Sequence, residues 1–443
     1  MKNLLKFFLE VEKLKQMPRT GWVLREVKNP ETVAEHTFRL AIISWLSAEK
    51  RNFNVKRAIL IALFHDLCEV FAGDITPFLY YPKLPKSKSE RRRILMKWAR
   101  LSQKDKEKIG KIKFKKEKEG CLKLIKFLNP RLAKELFSSW INYEKGSSRE
   151  GKFVNQLNRI ETLIQSIEYF GIKDEVAGTN WWEWTEEIVE DSLLLKFLEV
   201  IQEKFYGGVI GSAKEKKELK NILGFLLEIG RLKKMPRTLW VSLGVKNPET
   251  VAGHLFTTAL MTWVFGIGRK EIDLKRSLKM ALCHEMPSVY TGDFITPFSK
   301  ILPKDEKERR KIFEKWPRLP KKGKEKIFFE DYQKERKALE KLTQKLEPTL
   351  KKEIVELWDE YKTNLTPEAR FVNQINVLAV LLQALLYQRK DKNLPIGWIW
   401  EWAFEKCECP IILKFLEELK EKFYKKSLIQ KAFFKVFGLK YAP

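Results

Sequence analysis

Imidazole is scarce in this chain. Its 443 residues hold four histidines, His36, His65, His254 and His284, so chemistry that needs a histidine can draw only on these. Cysteine is almost as rare: five thiols, at 68, 121, 283, 407 and 409, make no disulfide-like framework, and the odd count fits a reducing compartment. Cys407-x-Cys409 alone is a weak metal signal and reads as buried or incidental thiols. No run of about 18 or more apolar residues occurs, so no transmembrane segment is expected. The start MKNLLKFFLEVEKLK mixes lysine and glutamate into its apolar pattern, unlike a secretory signal. These absences point to a soluble, cytoplasmic protein. No stretch sustains the apolar–polar alternation of a half-buried strand.

Acid is in deficit. Against 86 Lys and Arg stand 58 Asp and Glu, a net charge of +28. Most of the excess is local: residues 83–118 hold 16 basic and 4 acidic side chains, a second basic block spans 300–326, and the tail from Lys425 has five lysines and no acid. Such blocks attract phosphate-rich partners by long-range charge and counterion release. They equally suit a solvated, highly charged helical surface.

What is present is written twice. MPRTGWV at 17–23 returns as MPRTLWV at 235–241, and VKNPETVAEHTF at 27–38 as VKNPETVAGHLF at 245–256. FVNQLN at 153–158 returns as FVNQIN at 371–376, and WEW at 182–184 as WEW at 400–402, all at an offset of 218 to 220 residues. A period this long means paired globular domains, not a solenoid. The reading is a first domain at 1–206, a Gly/Ser/Lys/Glu-rich linker at 207–218, a second domain at 219–424 and a basic amphipathic tail at 425–443.

Within each copy apolar residues recur at helical spacing, as in Leu4, Phe7, Phe8, Val11 and Leu14. Asn29-Pro30-Glu31 and Asn129-Pro130 mark expected helix starts. Each domain is therefore expected to be an all-α bundle of about six to eight helices.

LFHDLCEV at 63–70 and LCHEMPSV at 282–289 carry the polar residues of otherwise apolar segments. On one continuous helix, His65, Asp66 and Glu69 would share a face. A carboxylate and an imidazole buried together need a partner, and the residues alone leave two: a divalent metal, with His36 closing the site from another helix, or a mutually satisfied His–Asp pair in the core.

The linked motifs PRTGWVLREVKNPETVAEHTFR, IALFHDLCEVFAGDITP and FVNQLNRIETLIQSIEY resemble the HD-domain metal-dependent phosphohydrolases, more narrowly their 5′-deoxynucleotidase branch. The resemblance covers nearly all of each repeat. It implies two tandem all-α HD bundles, a divalent cation of the Mn, Co or Mg type, and hydrolysis of deoxynucleoside 5′-monophosphates. It also implies dimers, which here would be two repeats of one chain. It places His36, His65 and Asp66 as metal ligands, Glu69 as the catalytic acid/base, Asp74 near the sugar and leaving group, and Arg19 on the phosphate. A cation lowers the pKa of water and neutralises phosphoryl charge, and arginine offers a planar fork of donors.

The sequence departs from that pattern. Asn158 and Asn376 stand where the resemblance puts an aspartate as the last ligand, and an asparagine offers only a weaker, neutral carbonyl oxygen. The second copy keeps His254, His284, Asp293 and Arg237, but has Glu285 for the aspartate, Gly253 for Glu35, and Ser288 after Pro287 for the catalytic glutamate. Serine cannot do a carboxylate's proton transfer near neutral pH, so the second site is expected to be degenerate. The alternative is an inactive HD-fold binding or scaffold protein whose basic surfaces take RNA, a ribosome or another acidic partner. The tryptophans at 181–184 and 398–402 read as helix packing or as a base-stacking platform. The tail reads as docking on the protein itself, a membrane surface or RNA.

Overall fold

The phrase NPETVAEH folds as a turn that ends in a capping box. Thr32 accepts from the Glu35 N–H while the Glu35 carboxylate accepts from the Thr32 N–H, and the helix Val33–Lys50 starts there. Pro30, expected at the helix start, precedes it. Asn29 turns the chain at a φ of 56°, and Thr32 makes an isolated bridge to Pro18. The second proline signal holds: Asn129 caps the helix Pro130–Lys145, with the proline in its first turn.

The computed structural model describes residues 2–76, 85, 87–96, 102–171, 175–207, 214–293, 302–315 and 321–423. The basic tail at 425–443 and linker residues 208–213 lie outside them, as do parts of both basic blocks. The described residues form helices joined by turns, with two isolated bridges and no sheet. Each repeat has nine described helices of nine residues or more, above the six to eight expected. Lys/Glu-rich segments such as Lys88–Met96 are helical with too few apolar residues for spacing to reveal them. The helix Lys214–Gly230 takes up residues 214–218 of the expected linker, where Lys216 pairs with Glu199 at 2.7 Å and Glu203 at 3.1 Å.

The segment IALFHDLCEVF is not one helix. Val55–Phe64 ends at His65, tighter bonds run from Leu67 N–H to the Phe64 carbonyl and from Glu69 N–H to the Asp66 carbonyl, and a short helix Glu69–Ala72 follows. The second copy breaks at the same place, with Pro287 at the cap of Ser288–Thr291. That proline disturbs nothing further, because the first copy bends identically at Cys68.

One apolar core runs through both repeats. Helices Val33–Lys50 and Val251–Gly266 pack against each other at its centre. Phe64 meets Trp263 with ring centroids 4.4 Å apart. The first helix of each copy lies on the other: Phe8 contacts Phe265 and Phe415, while Lys50 pairs with Glu218. Polar contacts are reciprocal. Trp45 Nε1 donates to Glu353 at 3.3 Å and Trp263 Nε1 to Glu135 at 2.8 Å, which are equivalent positions. The helix Pro367–Gln388 is long and apolar enough to cross a membrane, but 72% of its apolar window is buried within the protein. All five cysteines are buried and unpaired.

Candidate active site

His36 projects from Val33–Lys50 and His65 from the end of Val55–Phe64, and their rings lie 5.4 Å apart, both fully buried. His65 Nδ1–H donates to the Ala62 carbonyl at 2.7 Å. His36 Nδ1–H donates to the carboxylate of Glu161 on Arg149–Phe170. With the proton held on Nδ1 in each ring, both Nε2 lone pairs face the cluster; the buried His36 Nε2 has no hydrogen-bond partner, and His65 Nε2 has only the Asp66 carboxylate beside it. Asp66 Oδ2 lies 2.8 Å from His65 Nε2, and ligating atoms of His36, His65 and Asp66 fall within 4.8 Å of one another. Two unprotonated imidazole nitrogens and a carboxylate are a donor set that suits a divalent transition cation. Each imidazole also has the back-side acceptor, a carboxylate or a carbonyl, that ligating histidines usually have.

Above this cluster opens a cavity of about 710 Å³ whose walls include Arg19, Asp66, Glu69, Asp74 and Asn158. Every residue singled out in the first repeat is thus at the cavity or directly beneath it. Gly73, at a φ of 76°, turns the chain so that Asp74 accepts from the Thr20 N–H at 2.5 Å, which ties PRTGW to the HD segment. Arg19 lies 3.7 Å from Asp66. Asn158 donates through Nδ2 to the Tyr143 hydroxyl and keeps Oδ1 buried without a partner.

The charges act on one another strongly. Burial pushes the Asp66 carboxyl up, but the neighbouring His65, Arg19 and His36 outweigh it and hold Asp66 ionised. For Glu69, burial and the neighbouring Asp66, Asp74 and Glu117 all push the same way, raising its carboxyl well above the usual range. Glu161 is held well below that range: burial opposes ionisation, and Lys233, His36 and Arg39 overcome it. Burial, then Arg19, moves His36 down, favouring the neutral imidazole.

The cavity wall also holds residues that the sequence left open or did not single out. Trp181 and Trp184, set beside the packing reading, line the cavity, with Arg25 stacked 4.7 Å over Trp181 and Arg159 3.9 Å over Trp184. Lys106 and Lys113, from the basic block 83–118, line it too. Glu161 had a usable signal: it is a carboxylate three residues past Asn158 in the repeated FVNQ segment, and its counterpart is Ala379.

In the second repeat the equivalent residues are brought together but engage one another. His254 Nε2 contacts Asn376 Oδ1 at 2.8 Å, Asn376 Nδ2 donates to Tyr361 at 2.7 Å, and Arg237 pairs with Glu285 at 2.8 Å and with Asp293 at 3.1 Å. His284 retains an unpartnered Nε2, and Ser288 is buried. Burial pushes Asp293 up to about 6 and moves His284 down to about 4; Glu285 sits at about 2, because Arg237 and His284 outweigh its burial.

An all-helical protein with its histidines paired beside a His-Asp step, beneath a cavity lined by arginine and carboxylates, falls within the class of helical proteins suited to holding a cation. A family model described as HD domain matches residues 11–183 and again 229–396, and the chain belongs to that family. It resembles 5'-deoxynucleotidase HDDC2 of Mus musculus at 34% identity over 173 residues, covering 39% of this chain and 73% of the relative. Identity to the Homo sapiens protein of the same name is 34%, covering 38% and 69%. 5'-deoxynucleotidase YGK1 of Saccharomyces cerevisiae is 26% identical, covering 42% and 82%.

Proposed function

We propose that the first repeat is a metal-dependent phosphomonoester hydrolase acting on deoxynucleoside 5′-monophosphates, and that the second repeat is not catalytic. The observation that carries this reading is the convergence of the buried His36 and His65 imidazoles on the Asp66 carboxylate, beneath a cavity lined by Glu69 and Arg19. His36, His65 and Asp66 would hold a Mn, Co or Mg type cation, with Asn158 Oδ1 as a weak fourth donor. Such a cation polarises a phosphoryl oxygen and makes water a better nucleophile near neutral pH.

The chain's own groups do the rest. Arg19, kept cationic by Asp74 and Asp66 against the cost of burial, presents its guanidinium to the phosphate. Glu69 takes the proton from the attacking water, and its raised proton affinity suits a group that must also release that proton near neutrality. Asp74, fixed by the Thr20 N–H, stands by the sugar and leaving oxygen. The rings of Trp181 and Trp184 offer the base a stacking surface. The relatives' names support the choice of substrate class. The contacts between repeats favour reading the pair as a dimer built into one chain.

The test is phosphate release from deoxynucleoside monophosphates by the purified chain with Mn²⁺ or Co²⁺. Release that is lost in His65→Ala supports the proposal. No release from any of them, with none gained in Asn158→Asp, overturns it, and salt-dependent retention on RNA would then favour the binding-protein reading.

A further inference from the structure

Lys233 belongs to the second repeat, in the tight turn Arg231–Lys234, yet its ammonium is buried in the first. Its Nζ lies 2.5 Å from Glu31 Oε2, 2.6 Å from Glu161 Oε1 and 2.8 Å from Gln165 Oε1. Through its other oxygen, Glu161 holds His36 Nδ1. One carboxylate therefore joins a cation of one repeat to an imidazole of the other. We infer that Lys233 is a positioning residue for the first repeat's metal site: the second repeat supplies an ammonium that fixes the Glu161 carboxylate in place against His36 Nδ1, so that Nε2 is turned toward Asp66 and His65.

The inference rests on the metal-dependent reading of the first repeat and adds a task for the second. Without Lys233, Glu31 and Glu161 would be left buried near each other with too little positive charge, and the Glu161–His36 bond is where that imbalance would be relieved. Arg39 also reaches Glu161 Oε1, at 2.8 Å, but it shares itself with Glu168 and Gln165.

The mirror-related lysine separates this role from a merely interfacial one. Lys15 makes the equivalent contacts, to Glu249 at 2.6 Å and Gln383 at 2.7 Å, and it is equally buried. The position equivalent to Glu161 is Ala379, so the chain of contacts stops short of His254, whose Nδ1 is 3.9 Å from Glu249. Lys15 spans the same interface and orients no imidazole by a carboxylate bond.

The two halves are also not interchangeable. A side chain at Gly230 would begin 2.7 Å from Arg39 Nη1 and 2.8 Å from Glu168 Oε1. The first repeat has Glu12 at that position, facing Thr257 instead of an arginine. A second copy of the first repeat in place of the second would press Glu12 into the Arg39–Glu168 pair. The second repeat is fitted to its partner.

The experiment compares the full-length chain with Lys233→Met and Lys15→Met, measuring Mn²⁺ affinity by titration and thermal stability by unfolding. K233M is expected to weaken Mn²⁺ binding by about 10- to 100-fold, the usual range for an outer-shell partner. K15M is expected to leave it within about twofold while lowering the unfolding temperature to a similar extent. If K233M does not accumulate folded, Lys233→Gln takes its place with the same two outcomes. Equal affinities in the Lys233 and Lys15 variants, with a wild type that binds Mn²⁺, overturn this inference alone. A wild type that binds no Mn²⁺ overturns the proposed function as well.

Discussion

Asn376 Oδ1 lies 2.8 Å from His254 Nε2, and an amide oxygen can only accept, so the proton sits on the nitrogen that a cation would need. In the first repeat the proton is on the opposite nitrogen, held by Glu161. One Glu-to-Ala difference, at 161 and 379, therefore accounts for opposite tautomers. Binding stoichiometry is accordingly expected to be one Mn²⁺ per chain. His36→Ala should abolish that binding and His254→Ala should leave it intact, as read by calorimetry or by metal content after desalting.

Glu69 lines the cavity and is the carboxylate proposed to take the proton of water. Glu69→Gln keeps the shape and removes the base, so phosphate release should fall by about 10²- to 10⁴-fold with Mn²⁺ affinity retained. Ser288→Glu, at the equivalent position, should not add a second active site. Steady-state kinetics alongside metal titration reads both.

Asn158 Oδ1 is buried without a partner while Nδ2 is held by Tyr143. Asn158→Asp puts a charged oxygen at the same place, and the Tyr143 hydroxyl can turn from acceptor to donor. Mn²⁺ affinity is expected to rise by about tenfold, close to 1.4 kcal/mol. An unchanged affinity would remove residue 158 from the ligand set.

Arg159 stacked on Trp184 makes a flat, cationic wall. Stacking on an aromatic ring contributes about 1–3 kcal/mol per base. Trp184→Ala should thus raise KM for nucleotides by about 5- to 160-fold. It should barely affect an aryl phosphate that lacks a base, and kcat should change little.

Glu117, buried behind the cavity, is pushed up to about 8 by burial and by Glu144 and Asp66, with Lys113 opposing. A folded-state carboxyl raised above its unfolded value stabilises the protein fully below about pH 4.5, and that contribution is lost as pH rises toward 8. Stability to urea is expected to decline across this window. Glu117→Gln should flatten the decline, since each pKa unit corresponds to about 1.4 kcal/mol.

The helical class, the duplication and the His, His-Asp and Glu residues were legible because each rests on local spacing or on direct repetition of text. The bend at His65 was not, since IALFHDLCEVF has the apolar pattern of a continuous helix, and the turn is fixed by backbone bonds at Leu67 and Glu69. Trp181 and Trp184 stayed between helix packing and a base-stacking platform, because they lie far along the chain from the histidines. Folding brings the helix Glu175–Ile188 to the cavity wall.

Sequence by itself determined the inventory: four histidines at matching positions, one copy with its glutamate and one with a serine. Only the tertiary structure decided which imidazole nitrogen is free, which carboxylate holds it, and that a lysine 72 residues beyond Glu161 completes the arrangement across the repeat interface. The reason is physical. Spacing along a helix records which side chains share a face, whereas proton position and ion pairing depend on what packs opposite: for His36 that is Glu161 of the same repeat, and for Glu161 it is Lys233 of the other.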